Sequence, residues 1–211
     1  MSFDETVTAA QVSDSLDALG RRHQVLDAAI RPLRAGMRAV GLARTVQFAP
    51  AEEAGGDPYD DMIAFIDSIR AGDVVVIATG GSGRSAYWGE LFSAAAKGRG
   101  AVGVLVDSFA RDRGKVLDLD FPVFCTGTLP VDYRARMRVV ATQRPVSCGG
   151  VVIHPGDLVI AEDDGVVAVP QDVEAKVVSL ANARAATEND VLADLLAGAS
   201  LREVWTRYRV L

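Results

Sequence analysis

Two short, unbroken apolar runs, Asp73-Val-Val-Val-Ile-Ala78 and Val102-Gly-Val-Leu-Val-Asp107, flank a segment of helical composition. Such runs, rich in β-branched residues, describe strands buried on both faces, and the helix between them makes a parallel βαβ unit. Residues 8–19 form a short helix closed by Gly20. Arg38 to Phe48 reads as a strand with Gly41 inside it. The loop 50–58 is acidic and rich in Gly and Pro, and Asp57-Pro58 then opens a helix as N-cap and first-turn proline. Met62, Phe65, Ile66 and Ile69 supply that helix with a buried stripe, and Asp60 and Asp61 suit its first turn.

After Asp112 the pattern becomes strand-rich: Pro122–Cys125, Arg138–Thr142, Gly150–His154, Asp157–Ile160 and Val166–Val169. Pro155-Gly156 and Asp163-Asp164-Gly165 separate the last three and predict hairpin turns. A long helix then runs from about Asp172 to Leu196 and stops at Gly198. Ser200 and Glu203 make a capping box for a last helix, which Trp205 and Tyr208 should anchor. The pattern predicts one compact α/β domain over residues 1–211. Its C-terminal helices, 172–211, are expected to pack against it or against another subunit.

Composition narrows the function. With 211 residues, 49% of them hydrophobic, the chain can bury a real core. A net charge of -6 argues against a broad nucleic-acid surface. No apolar run reaches the roughly 18 residues of a membrane span, and the N-terminus lacks the pattern of a secretory signal. The expectation is a soluble cytoplasmic protein with no membrane partner. Cys125 and Cys148 have no CxxC spacing and read as reduced, structural thiols. Only His23 and His154 are present, so a bound metal must depend on carboxylates and water, which favours Mg²⁺ or Mn²⁺. His154, next to Pro155, reads as structural, and Asp163-Asp164 as a turn.

Gly81-Ser-Gly83-Arg-Ser-Ala86 and Asp107 trace the outline of a dinucleotide fingerprint. The second half-fold that should follow is missing, so a nicotinamide oxidoreductase is the weaker reading. Gly80 and Gly81 are expected to let strand and helix approach closely. The charged groups further on carry more chemistry. Glu90 opens the helix after the glycine turn, where free backbone N–H groups can hold a carboxylate. Arg111 can grip the same anion, Asp112 can offer an oxygen to a divalent metal, and Glu90 can hold a metal-bound water. The plainer alternative is a solvated loop in which Arg111 pairs with Asp112 or Asp107.

Trp88-Gly89-Glu90-Leu91, Asp107, Arg111-Asp112, Phe121–Phe124, Pro145–Gly150 and Pro155-Gly156-Asp157 together resemble the RraA-like family. That family contains metal-dependent 4-hydroxy-4-methyl-2-oxoglutarate aldolases and the RraA regulators of ribonuclease E. The resemblance implies a β/β/α, swivelling-domain-like fold, homotrimers or dimers of trimers, and sites between subunits. The aldolases carry an acidic residue, twenty intervening residues and then Arg-Asp, as Glu90 and Arg111-Asp112 do here. The regulators lack the Asp. By this resemblance Gly89, Glu90, Leu91, Phe92 and Arg111 would bind a 2-oxo acid and Asp112 the metal. Glu188, reaching in from a neighbouring subunit, would join Glu90 and Arg111 in catalysis. Glu90 itself departs from the family, whose aldolases have Asp there.

The implied reaction splits a 4-hydroxy-2-oxo acid into pyruvate and a carbonyl fragment through an enolate, and the same chemistry would decarboxylate oxaloacetate. The alternatives are a non-catalytic regulator of ribonuclease E and the nicotinamide enzyme. No lysine Schiff base is called for, and Lys97 and Lys115 are assigned no place in the pocket.

Overall fold

The computed structural model describes residues 2–51 and 57–211; the acidic, glycine-rich part of the predicted loop at 52–56 lies outside the described residues. An eight-stranded sheet forms the centre. Four of its strands run parallel side by side: Ala39–Pro50, Asp73–Ala78, Gly103–Val106 and Val123–Cys125. Their apolar runs explain the arrangement, since every residue of Asp73–Ala78 and Gly103–Val106 is buried. Antiparallel strands extend the sheet: Arg31–Pro32 beside Val123–Cys125, and the hairpin Leu158–Glu162 with Gly165–Val169 beside Ala39–Pro50. Met137–Thr142 pairs with the far end of Ala39–Pro50 across a bulge at Gln47/Phe48. The result is the α/β class expected, with a parallel core, a strand-rich second half and C-terminal helices.

Helices α1 (Ala9–Ala18), α2 (Asp60–Asp67), α3 (Glu90–Gly98), α4 (Arg113–Asp118), α5 (Glu174–Leu196) and α6 (Leu201–Tyr208) cover this sheet. Val12 and Leu16 of α1 join Val177, Val178 and Ala181 of α5 over Leu158, Ile160, Val167 and Val169. Met62, Phe65 and Ile66 of α2 pack into the larger core with the parallel strands, and Ile69 joins them just beyond the helix. Both N-terminal caps have chemical causes. Thr8 and Gln11 form a capping box on α1, and Ser200 and Glu203 form the predicted one on α6.

Three expectations need correction. Asp57 does not cap α2: its carboxylate accepts the Tyr59 N–H at 2.9 Å, turning the chain ahead of a helix that begins at Asp60. Pro155-Gly156 does not close a hairpin. Val151–Ile153 instead folds back on Val146–Cys148 through Gly149-Gly150, while Leu158–Glu162 joins Ala39–Pro50. The turn between them is fixed by Asp157, whose carboxylate accepts the His154 N–H at 2.7 Å, and the His154 side chain is exposed. Trp205 does not anchor α6. It is 38% exposed with Arg209 over its ring, while Val204 is buried and the Tyr208 hydroxyl reaches Asp194 of α5. No helix among the described residues is long and apolar enough to cross a membrane.

Candidate active site

A second, small parallel sheet that sequence reasoning missed carries the candidate site. Its strands are Ala86–Trp88, Phe109–Ala110 and Gly127–Thr128. Each is too short to show a periodicity, yet each delivers functional residues beyond its carboxyl end. Trp88 leads to Gly89 and Glu90, Ala110 leads to Arg111 and Asp112, and Thr128 leads, four residues on, to Asp132. The βαβ pair Asp73–Ala78 and Gly103–Val106 lies behind this sheet rather than ending at the site.

Gly89 is the N-cap of α3 and offers no side chain to it. A Cβ there would sit 2.7 Å from Asp112 Oδ2 and 3.0 Å from Arg111 Cγ, so only glycine lets these two residues close on the helix end. The Trp88 carbonyl, which the Phe92 N–H would use in a longer helix, instead accepts the Arg111 N–H at 2.8 Å. The first turn of α3 thus keeps free donors at its positive end. The Trp88 indole N–H donates to Ser93 Oγ at 2.7 Å, and Ser93 Oγ donates to the Gly89 carbonyl at 2.9 Å, bracing the turn from behind.

Asp112 adopts a left-handed conformation, φ 56° and ψ 34°, which Asp tolerates better than most residues. That backbone aims its carboxylate back at α3, with Oδ2 3.4 Å from the Glu90 N–H and 3.5 Å from Arg111 Nε. Arg111 makes a shorter pair with Asp132, Nη1 to Oδ2 at 2.6 Å, and the Tyr59 hydroxyl donates to the same oxygen at 3.1 Å. Asp132 and Tyr59 were not predicted. An acid beside Arg134 and Arg136 in a segment without periodicity was the only signal available. The expected partner Asp107 is elsewhere, accepting from the Thr79 N–H at 2.7 Å and from the Gly81 N–H at 3.3 Å.

Glu90 Oε2 lies 3.0 Å from Lys115 Nζ. Lys115 therefore belongs to the cavity, against expectation, because α4 turns back toward α3 directly after Asp112. Lys97 does not; it donates to the Leu119 carbonyl. The hydrogen bond from Glu90 raises the Lys115 pKa above its ordinary value, which keeps the amine protonated. Leu91 projects outward, 77% exposed, and Phe92 packs on Trp88. Glu188 is not in this cavity: it pairs with Arg184 at 2.8 Å and accepts from Gln11 on α1.

All of these groups except Glu188 line one cavity of about 700 Å³. Its remaining wall is aromatic. Tyr87 and Tyr133 stack with ring planes 2° apart, and Tyr59 meets Tyr133 edge-on at 5.6 Å. The hydroxyls of Tyr87 and Tyr133 are buried without a hydrogen-bond partner. Burial, with help from the Asp132 charge, pushes the Tyr133 pKa far up; burial and the Asp132 hydrogen bond raise that of Tyr59. Among the described residues no three Asp, Glu, His or Cys side chains gather as a ready metal cluster. Asp112, 41% exposed and making only long contacts, nonetheless suits a cation such as Mg²⁺ that is held through one or two carboxylates and keeps most of its water.

The glycine turn lacks the dinucleotide geometry. A strand follows it and α3 begins only at Glu90, while Asp107 is buried and spent on bracing the turn. Gly80 and Gly81 have φ of 69° and 70°, and a Cβ on either would meet nothing within 4 Å. They serve a turn conformation, not the close approach expected of them.

Fold and site together define an α/β protein with a charged cavity at the ends of three short parallel strands. Comparison with known proteins agrees. The family model RraA-like, described as Aldolase/RraA, matches residues 9–168. Protein DlpA of Legionella pneumophila is 32% identical over 95% of this chain, and the chain spans about a third, 32%, of DlpA. A Halalkalibacterium halodurans protein named "Putative 4-hydroxy-4-methyl-2-oxoglutarate aldolase" is 34% identical over 87% of this chain and 82% of its own length. The crystal structure of Streptomyces coelicolor RraAS2, titled an unusual member of the RNase ES inhibitor RraA protein family, superposes with a TM-score of 0.76 at 30% identity, covering 92% of both chains. The chain belongs to the RraA-like family, which includes 4-hydroxy-4-methyl-2-oxoglutarate aldolases and non-catalytic ribonuclease inhibitors.

Proposed function

We propose that this chain is a divalent-metal-dependent lyase that cleaves a 4-hydroxy-2-oxo acid to pyruvate and a carbonyl fragment. One observation carries the reading: Arg111 and Asp112 converge on the donor end of α3 within a single cavity. A carboxylate laid on that end would meet the free N–H groups of the first turn. Asp112 would hold Mg²⁺ or Mn²⁺, which would supply Lewis-acid polarisation of the 2-oxo group.

As the C3–C4 bond breaks, its electrons move onto the keto oxygen. Arg111 has Nη2 outside both of its carboxylate pairs and can donate to that oxygen in the transition state. Asp132 holds the guanidinium in place. The 4-hydroxyl proton must leave, and a water on the second oxygen of Glu90 is the base available within the chain. Glu188 could act only on the cavity of a neighbouring subunit. The pyruvate enolate then takes a proton and leaves. Lys115, held protonated, is unsuited to a Schiff base. Oxaloacetate would lose CO₂ by the same charge stabilisation.

The test is pyruvate release by Asp112→Ala and Arg111→Ala variants, each with and without EDTA. Asp112→Ala should be as inactive as the chelated protein, and Arg111→Ala should lose about 10²- to 10³-fold in kcat, the usual cost of removing one donor to a developing oxyanion. Full activity in either variant rejects the mechanism. The shared fold with RraAS2 favours a second reading, a non-catalytic ribonuclease regulator. Absence of metal-dependent lyase activity on every 2-oxo acid tried would support it.

A further inference from the structure

We propose that the tail of the substrate, the part beyond the bond that breaks, is apolar or aromatic and not a second carboxylate. The inference rests on the lyase reading above and deepens it. The charged groups of the cavity are gathered around the N-terminus of α3. Away from them the wall is Tyr59 and Ile63 on one side of α2's start, with Tyr87 and Tyr133 beside them. This wall is rigid: Phe48 packs edge-on behind both Tyr87 and Tyr133, with ring centroids 5.0 Å apart in each case. Ile63 is 48% exposed and Leu91 77% exposed. An apolar tail lying between them would remove from water surface that the folded chain leaves wet.

Charge points the same way. Glu90, Asp112 and Asp132 line the cavity against two cations, Arg111 and Lys115. Among the described residues both cations are already paired, Arg111 with Asp132 at 2.6 Å and Lys115 with Glu90 at 3.0 Å. The tyrosines of the wall stay neutral, since Tyr59 and Tyr133 ionise only above the ordinary tyrosine range. A distal carboxylate would therefore find no unpaired cation on this wall and would face Asp132 across it. The tail wall thus suits 4-hydroxy-2-oxo acids with an aromatic or aliphatic group on C4.

Two 2-oxo acids of equal reach test this: 2-oxo-4-phenylbutanoate and 2-oxoglutarate. Neither has a 4-hydroxyl, so neither can be cleaved. Their affinities are measured by titration calorimetry on the full chain with Mg²⁺, beside oxalate, which has the head of a 2-oxo acid and no tail. The phenyl compound should bind at least about tenfold more tightly, about 1.4 kcal/mol. Ile63→Arg should shift that ratio at least about tenfold toward 2-oxoglutarate and leave oxalate unchanged. If 2-oxoglutarate binds as tightly as the phenyl compound, or more so, the proposal is overturned while the lyase reading stands. A ratio unmoved by Ile63→Arg also overturns it, because the tail then lies elsewhere. If none of the three ligands binds, both the proposal and the reading beneath it fall.

Discussion

The strands Asp73–Ala78 and Gly103–Val106 bury every residue they contain, whereas Ala86–Trp88, Phe109–Ala110 and Gly127–Thr128 have only two or three residues each. The first pair is held by apolar burial, which is non-directional and tolerant of small shifts. The second set depends on particular bonds: Trp88 to Ser93, Asp107 to Thr79, and the Ser108 hydroxyl to the Ser82 carbonyl. Stability is concentrated in the long strands and geometry in the short ones. Substitutions in the two regions should therefore separate into different phenotypes.

The largest effect is expected in the long strands. Ile77→Ala removes a fully buried side chain and should cost about 2–5 kcal/mol in denaturant unfolding, with activity per folded molecule unchanged. Gly89→Ala should do the reverse. Its Cβ would push Arg111 and Asp112 apart from α3, lowering kcat about 10²-fold while the unfolding midpoint moves little. If Gly89→Ala instead unfolds the protein and keeps its specific activity, the division between regions is wrong. Asp132→Asn comes next. It keeps the shape but removes the charge that orients Arg111, and should lower kcat about tenfold with KM changed less. The smallest effect belongs to a site remote from both sheets: Ser200→Ala breaks the α6 capping box and should cost about 1 kcal/mol of stability without touching catalysis.

The same contrast decides what could be read from the amino acids. The central parallel unit was visible because Val74–Ile77 and Val104–Val106 are continuous apolar runs bounded by turns. The α6 capping box was visible because its two residues lie three apart. Glu90 and Arg111-Asp112 were placed in one site correctly, but on the wrong strands, since a three-residue strand such as Ala86–Trp88 has no period to detect. Asp132 and Lys115 were missed because their partners, Arg111 and Glu90, lie 21 and 25 residues away in sequence and meet them only through the folded backbone. Tyr59 and Tyr133 could be recognised as a wall only once their rings were seen together.

Asp112 occupies a backbone conformation open to few residue types besides glycine, asparagine and aspartate. Exchange of one oxygen for an amide nitrogen there would strip the cavity of its metal ligand without asking the chain to refold. A lineage of such proteins could thus pass from chemistry to pure scaffolding, and back, through a single codon change.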